Sequence, residues 1–367
     1  MTHRFLVSVG ALTALIVVML LATIPVGGQG PSPSAKADTK GPAAKAYTPP
    51  RTPDGQPDLQ GFWTNSTYTP LERRNNVTKE FYTPEEMAEI ERLAAERDDD
   101  QTTPGTVADV HYDGTQFGLS RHQSTLARNL RTSLIVDPPN GKIPPLTAEG
   151  KKRLAERAEA RDRLGIKLMS TEQPNGRWDA VENNSLDDRC IITGHAGPPM
   201  LNAGYNSTYQ IVQAPGHVMI LVENNHIVRM IPLDGRPGLP PNVRAWTGIS
   251  RGRWEGNTLV VETSNFDTRL STPGTAQPAF WGAISENMRV TEWLTRVDAN
   301  TIQYKFTVDD PATWTKPWTA ELPMVATRGP IFEHACHEGN YGLYNTLAGA
   351  RAEEKRAAEA AAKKGSK

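Results

Sequence analysis

The chain has 367 residues, a formal net charge of −1 and a pI near 6.7, so it lacks the basic excess that a nucleic-acid partner requires. Its 30 Gly and 29 Pro residues favour a loop-rich β protein over a helical bundle. The length allows one large domain or two ordinary ones, with ample core in either case.

The N-terminus resembles an export signal. Residues 1–28 contain Arg4, an apolar run from Phe5 to Ile24 and the small residues Gly27 and Gly28, a pattern typical of a secretory signal peptide. The apolar run is also long enough to span a bilayer, so an uncleaved inner-membrane anchor facing the periplasm is the alternative. In either case we expect the remaining chain to be periplasmic or secreted, with membrane contact only through this segment.

Composition divides the rest of the chain into three parts. Residues 29–51 are poor in apolar side chains and rich in Pro, Ala, Lys and Gly, which predicts a disordered linker. Residues 52–346 form one predicted β-rich domain. Residues 347–367 have high helix propensity without a wide apolar face, which predicts a charged helical or disordered tail.

Two helices are predicted inside the domain, near residues 84–97 and 148–164. The first follows a capping box, with Thr83 as the N-cap and Glu86 three residues later. The second has a thin apolar stripe, so we expect it to lie on the surface.

The remaining pattern is that of antiparallel strands. Apolar and polar residues alternate from 205 to 232 and again from 250 to 310, with turn dipeptides between them. Asn224-Asn225 is a candidate two-residue hairpin, because Asn tolerates the left-handed conformation. Together with a strand at 132–136, eight to ten strands with short links predict a mainly β domain, an antiparallel meander closing into a barrel or twisted sandwich.

The chain has two cysteines, Cys190 and Cys336. In an exported protein an isolated pair is expected to form a disulfide, whereas in a cytosolic enzyme the two would be unrelated thiols. A bond would bring the polar run around residues 187–195 beside the cluster at residues 334–338.

These two runs together contain the residue types that acid–base catalysis uses. Asp188 or Glu338 would act as the base, His337 as the acid, and Arg189 would hold an anionic substrate group. The alternative is a salt-bridged loop without chemistry. A metal site is not predicted, because His334 and His337 would lie on opposite faces of a strand.

A second hypothesis concerns the aromatic residues. Trp254, Trp293 and Tyr341, together with His195, are candidate ligand contacts in the mouth of a barrel. The alternative is that most tryptophans belong to the core.

Several phrases of the sequence match a known pattern: TPDGQPDLQGFW, GRWEGNTLVVET and ACHEGNYGL. On these phrases the chain resembles a family of exported bacterial proteins found in acidobacteria and proteobacteria. The resemblance extends from Thr52 to Lys355, implies bacterial export and a single unit, and brings no activity, fold or cofactor. In the family pattern a tyrosine is common at the position of His334, whereas His337 and Glu338 match.

Two functions are therefore carried forward. The first is an exported periplasmic protein that binds a small apolar or aromatic ligand in a barrel-like cavity. The second is a hydrolase or lyase that uses the His/carboxylate site. The sequence leaves the cofactor and the oligomeric state unknown, and it does not decide whether the protein is an enzyme.

Overall fold

The computed structural model describes residues 47–99, 126–163, 180–184, 186, 189–192, 197–202, 206–271 and 284–365. The predicted signal segment, most of the linker, and the site candidates Asp188 and His195 lie outside these residues. Ten strands are described: β1 (Gly61–Thr64), β2 (Ile135–Asp137), β3 (Thr208–Ala214), β4 (His217–Val222), β5 (Ile227–Pro232), β6 (Ile249–Glu255), β7 (Thr258–Ser264), β8 (Arg289–Arg296), β9 (Thr301–Asp309) and β10 (Trp318–Ala326).

All ten strands belong to one antiparallel sheet. Its order is β5-β4-β3-β1-β10-β9-β8-β7-β6, and β2 pairs with β10. The sheet curls into a nearly closed barrel, which confirms the predicted fold class. Short hairpins link four pairs of neighbours, β3–β4, β4–β5, β6–β7 and β8–β9, where turn residues separate brief strands.

Alternation along each strand determines which side chains fill the barrel. In β9, Ile302, Tyr304, Phe306 and Val308 are buried, while the residues between them are partly exposed. Successive side chains of a strand point to opposite faces, so one face of every strand lines the interior. The largest fully buried side chains include Trp63, Trp318, Tyr209, Tyr304, Phe266 and Phe306.

The seam of the barrel lies between the edge strands β5 and β6. No backbone ladder joins them, so side chains must close the gap. A Cβ added at Gly252 of β6 would lie 2.7 Å from Ile231 Cγ2 and 2.7 Å from Leu233 Cδ2. Glycine at this position therefore lets β5 pack directly against β6.

Three helices are described: α1 (Pro84–Asp99), α2 (Ala148–Arg163) and α3 (Tyr341–Gly365). The predicted capping box of α1 is present, since Glu86 N–H donates to Thr83 Oγ1 (3.2 Å) and Thr83 N–H donates to the Glu86 carboxylate (2.7 Å). The helix α3 begins at Tyr341, inside the predicted β-rich unit. None of the described helices has both the length and the apolar character that crossing a membrane requires.

The hairpin predicted at Asn224-Asn225 is longer than expected. The last β4–β5 pair is Val222 with Ile227, so four residues form the connection, and Asn225 adopts φ +55° within a short 3-10 helix, Asn224–His226. Asparagine supplies the left-handed residue as predicted, but the turn is wider than a two-residue hairpin.

The barrel has two distinct ends. We call the end with the β4–β5 loop (223–226) and the β9–β10 connection (310–317) the upper end. The opposite end holds the turns at 215–216, 256–257 and 297–300, and we call it the lower end.

Candidate functional site

The predicted disulfide between Cys190 and Cys336 is present, with a Cα–Cα distance of 5.5 Å. It closes a separation of 146 residues and fixes the C-terminal segment beside the run that contains Arg189. Asn340 Nδ2 donates to Cys190 Sγ at 3.4 Å and further secures this junction.

The four predicted catalytic residues do not form an enclosed site among the described residues. His337 and Glu338 are exposed, Arg189 is half-buried, and Asp188 lies outside the described part of the chain. Exposed side chains on a turn lack the enclosed surroundings in which acid–base catalysis takes place. The acid–base pair remains a prediction without geometric support.

The buried titratable groups near the disulfide are different ones. Glu223 is 5 % exposed, and its carboxylate accepts the backbone N–H of Thr208 (3.2 Å) and of Phe332 (3.3 Å). His334 Nδ1 accepts the backbone N–H of Asn225 at 2.7 Å. Burial lowers the pKa of His334, the nearby His226 lowers it further, and Glu223 partly opposes the shift. These contacts attach the C-terminal segment to the upper rim of the barrel.

A metal centre is not formed by the described residues. No group of three or more His, Cys, Asp or Glu side chains in this part of the chain could hold a metal ion. His217 and His226 stand at opposite ends of β4 and its loop.

A chain segment, residues 197–202, fills the upper part of the barrel. Met200 N–H donates to Tyr304 Oη (3.0 Å), and the Met200 carbonyl accepts from Asn65 Nδ2 (3.0 Å). Tyr209 Oη donates to the Leu201 carbonyl at 3.4 Å. Met200 is fully buried, so this end of the barrel is occupied by the protein itself.

An ion pair crosses the barrel interior below this segment. Arg229 of β5 donates through Nη1 to Glu292 Oε1 of β8 at 3.1 Å and through Nη2 to Oε2, and both side chains are at most 2 % exposed. Tyr304 Oη donates to Glu292 Oε1 (2.7 Å), and Arg229 Nη2 lies 3.5 Å from Ser250 Oγ of β6. Burial alone would lower the pKa of Arg229, but the Glu292 carboxylate raises it. Arg229 therefore stays charged and ties one edge strand across the seam.

The lower end differs, because it contains an open cleft of about 320 Å³. This volume is at the small end of the roughly 300–1,000 Å³ typical of ligand sites. One wall is the β3–β4 hairpin, and another is the end of β6. The segment 51–58 contributes Asp54 and Gln56 to the lining, and Arg51 Nη2 donates to Asn257 Oδ1 at 3.1 Å. The lining residues are Asp54, Gln56, Gln213, Ala214, Pro215, Gly216, His217, Val218, Leu233, Arg253 and Trp254.

The structure separates the two candidate tryptophans. Trp254 shares the inward face of β6 with Ser250 and Gly252, and it lines the lower cleft. Trp293 follows buried Glu292 in β8, so it lies on the outer face, where Lys305 Nζ sits 5.3 Å from its ring centroid. Tyr341 is 71 % exposed at the start of α3. Of the four predicted ligand contacts, Trp254 alone is placed in a cleft, and His195 lies outside the described residues.

Several lining residues were not singled out by the sequence analysis. Asp54 and Gln56 belong to the turn-rich phrase TPDGQPD, and His217 follows the Pro-Gly turn that starts β4. Their side chains have no hydrogen-bond or ion-pair partner among the described residues. Turn residues at one end of a barrel are natural ligand contacts. The sequence does not show that these turns lie at the same end of the barrel.

Comparison with protein-family models, curated proteins and solved structures finds no match to this chain.

Proposed function

We propose that this is an exported bacterial protein that binds a small ligand with a flat apolar or aromatic face in the cleft at the lower end of its barrel. The supporting observation is that cleft, whose lining includes Trp254. Ala214, Pro215, Val218 and Leu233 complete the apolar part of the lining. Concave sites with an aromatic wall and a few polar groups are the usual form of small-molecule sites.

Export is supported by two independent features. The N-terminal sequence has the charge and apolar run of a secretory signal or anchor. The Cys190–Cys336 bond requires an oxidising compartment to persist.

The hydrolase or lyase alternative has less support. Glu223 and His334, the titratable residues that are buried or half-buried near the disulfide, bind backbone N–H groups instead of facing a cavity. His337 and Glu338 are exposed at a turn. Acid–base catalysis by these residues stays a prediction.

The test uses a bacterial metabolite extract and two matched variants, Trp254→Ala and Trp293→Ala. Both replace a half-buried strand tryptophan, but only Trp254 lines the cleft. The full chain is exported in a bacterial host, incubated with the extract, desalted, and measured by native mass spectrometry. We expect at least one small molecule to remain on the wild-type protein and on Trp293→Ala, and to be lost from Trp254→Ala.

Two outcomes would contradict the proposal. One is the absence of any retained molecule on the wild-type protein. The other is equal retention by Trp254→Ala, which would move the site away from the lower cleft. Circular dichroism and the urea midpoint of each variant establish that the variants are folded.

A further inference from the structure

The charged side chains around the lower cleft indicate which net charge its ligand can carry. Arg253 is one of the residues that line the cleft, and two carboxylates already bind its guanidinium. Arg253 Nε donates to Glu255 Oε1 at 2.8 Å, and Nη1 donates to Glu262 Oε1 at 2.7 Å. Its hydrogen bonds to the carboxylates of Glu262 and Glu255 raise the pKa of Arg253. An anionic ligand would have to compete with these carboxylates for the guanidinium.

The other polar groups of the lining favour hydroxyl groups. Asp54 offers a carboxylate that only accepts hydrogen bonds, the Gln56 carboxamide both donates and accepts, and the His217 imidazole does so when neutral. None of the three side chains is bonded to another described residue. A purely apolar ligand would displace water from these groups and return no hydrogen bond, which costs affinity.

Gln213 lines the same cleft, but unlike Asp54, Gln56 and His217 its side chain is already hydrogen-bonded within the protein. Its Oε1 accepts the backbone N–H of Leu59 at 2.6 Å, and its Nε2 donates to the Pro57 carbonyl at 3.1 Å. Gln213 therefore fixes the wall of the cleft, whereas Asp54, Gln56 and His217 are available for a ligand.

From these observations, and resting on the proposed function, we infer that the ligand is neutral and rich in hydroxyl groups, such as a saccharide of one or two rings. The C–H face of a sugar ring is apolar and would stack on Trp254. Its hydroxyl groups both donate and accept, which matches Asp54, Gln56 and His217 on the polar side. The excess of carboxylates, with Asp54 unpaired and Arg253 shared by Glu255 and Glu262, disfavours acidic sugars and aromatic acids.

The experiment is isothermal titration calorimetry with named probes. The neutral probes are cellobiose, maltose and N,N′-diacetylchitobiose. Maltobionate is the anionic counterpart of maltose, and indole is the purely aromatic probe. We expect at least one neutral disaccharide to bind more tightly than maltobionate and indole. Asp54→Asn should weaken it about tenfold, as expected for one charge-assisted hydrogen bond.

A variant without the carboxylate partners of Arg253 tests directly whether these carboxylates disfavour anionic ligands. Glu255→Gln combined with Glu262→Gln frees Arg253 without changing the size of either side chain. We expect this variant to bind maltobionate at least about tenfold more tightly than the wild-type protein does, because a free guanidinium can pair with the carboxylate. Glu286→Gln, which removes the exposed carboxylate partner of an arginine that does not line the cleft, Arg244, is the control and should leave the preference unchanged.

The outcomes separate this inference from the proposed function. If maltobionate or indole binds most tightly and Trp254→Ala removes that binding, the ligand class is wrong and the lower cleft still binds ligands. If none of the neutral disaccharides binds, the inferred class is also wrong, whatever the metabolite extract yields. Failure of the cleft itself would appear as a retained metabolite that does not depend on Trp254.

Discussion

The two ends of the barrel use their polar residues in opposite ways. At the upper end, Glu223 and His334 are buried or half-buried and bonded within the protein, and Met200 fills the interior. At the lower end, polar side chains border an open cleft and several have no partner in the described chain. The difference shows that a buried cluster of titratable residues can be structural, while unpaired residues around a cleft are better candidates for binding.

The largest effect is expected when the buried ion pair is broken. Glu292→Ala leaves Arg229 charged and unpaired inside the barrel, which should cost about 3–5 kcal/mol in the free energy of unfolding. Urea denaturation measures this. Glu262→Ala, which removes an exposed partner of Arg253, is the control and should cost less than about 1 kcal/mol. The double variant Arg229→Met with Glu292→Leu should recover most of the loss, and a double variant as unstable as Glu292→Ala would disprove the explanation.

Removing the disulfide should lower the stability of the protein without changing ligand binding at the lower cleft. Cys190→Ser with Cys336→Ser should lower stability by about 2–4 kcal/mol, since the bond closes a long loop. Binding at the lower cleft should change little. Calorimetric titration with the tightest neutral disaccharide checks this, and a loss of affinity as large as that of Trp254→Ala would mean that the two ends are coupled.

The seam provides a smaller test. Gly252→Ala would place a methyl group against Ile231 and Leu233, and overpacking of this kind costs about 1–3 kcal/mol. Gly238→Ala, at a position with no atom within 4 Å of the added Cβ, is the matched control. Equal thermal midpoints for both variants would show that close packing of β5 on β6 contributes nothing to closing the barrel.

The smallest effect concerns pH. Burial, followed by repulsion from His226, places the pKa of His334 in the folded protein below its ordinary value of 6.5. The unfolded chain therefore binds more protons as the pH falls through 6.5, and His334 lowers stability progressively until the pH reaches its folded pKa. His334→Gln should flatten the dependence of the urea midpoint on pH in that window and leave it unchanged above pH 7.5. An unaltered slope would contradict this assignment.

Much of the fold could be predicted from local rules. Alternation in residues 301–309 defines an inward face, the Thr83/Glu86 pair starts α1, and the predicted export made the disulfide the expected state of Cys190 and Cys336. Each of these features depends on residues close together in the sequence or on the redox state of the cellular compartment. For that reason they are visible without the structure.

The site was less predictable because it joins separate segments. Residues 54–56, 213–218 and 253–254 meet only because of the strand order, which alternation does not determine. The faces of β8 were also ambiguous. The side chains on its inward face are Val290, Glu292 and Leu294. Because Glu292 is charged, the sequence pattern makes this face no more apolar than the opposite face, which contains Trp293.

The most direct test of the central claim is hydrogen–deuterium exchange with and without bound ligand, using the molecule retained from the extract or the tightest neutral disaccharide. We expect ligand to slow exchange in peptides covering residues 52–58, 213–218 and 251–256. Exchange at residues 223–226 and 332–340 should stay the same. Protection confined to the upper-end peptides would contradict the proposal and return attention to the residues around the disulfide.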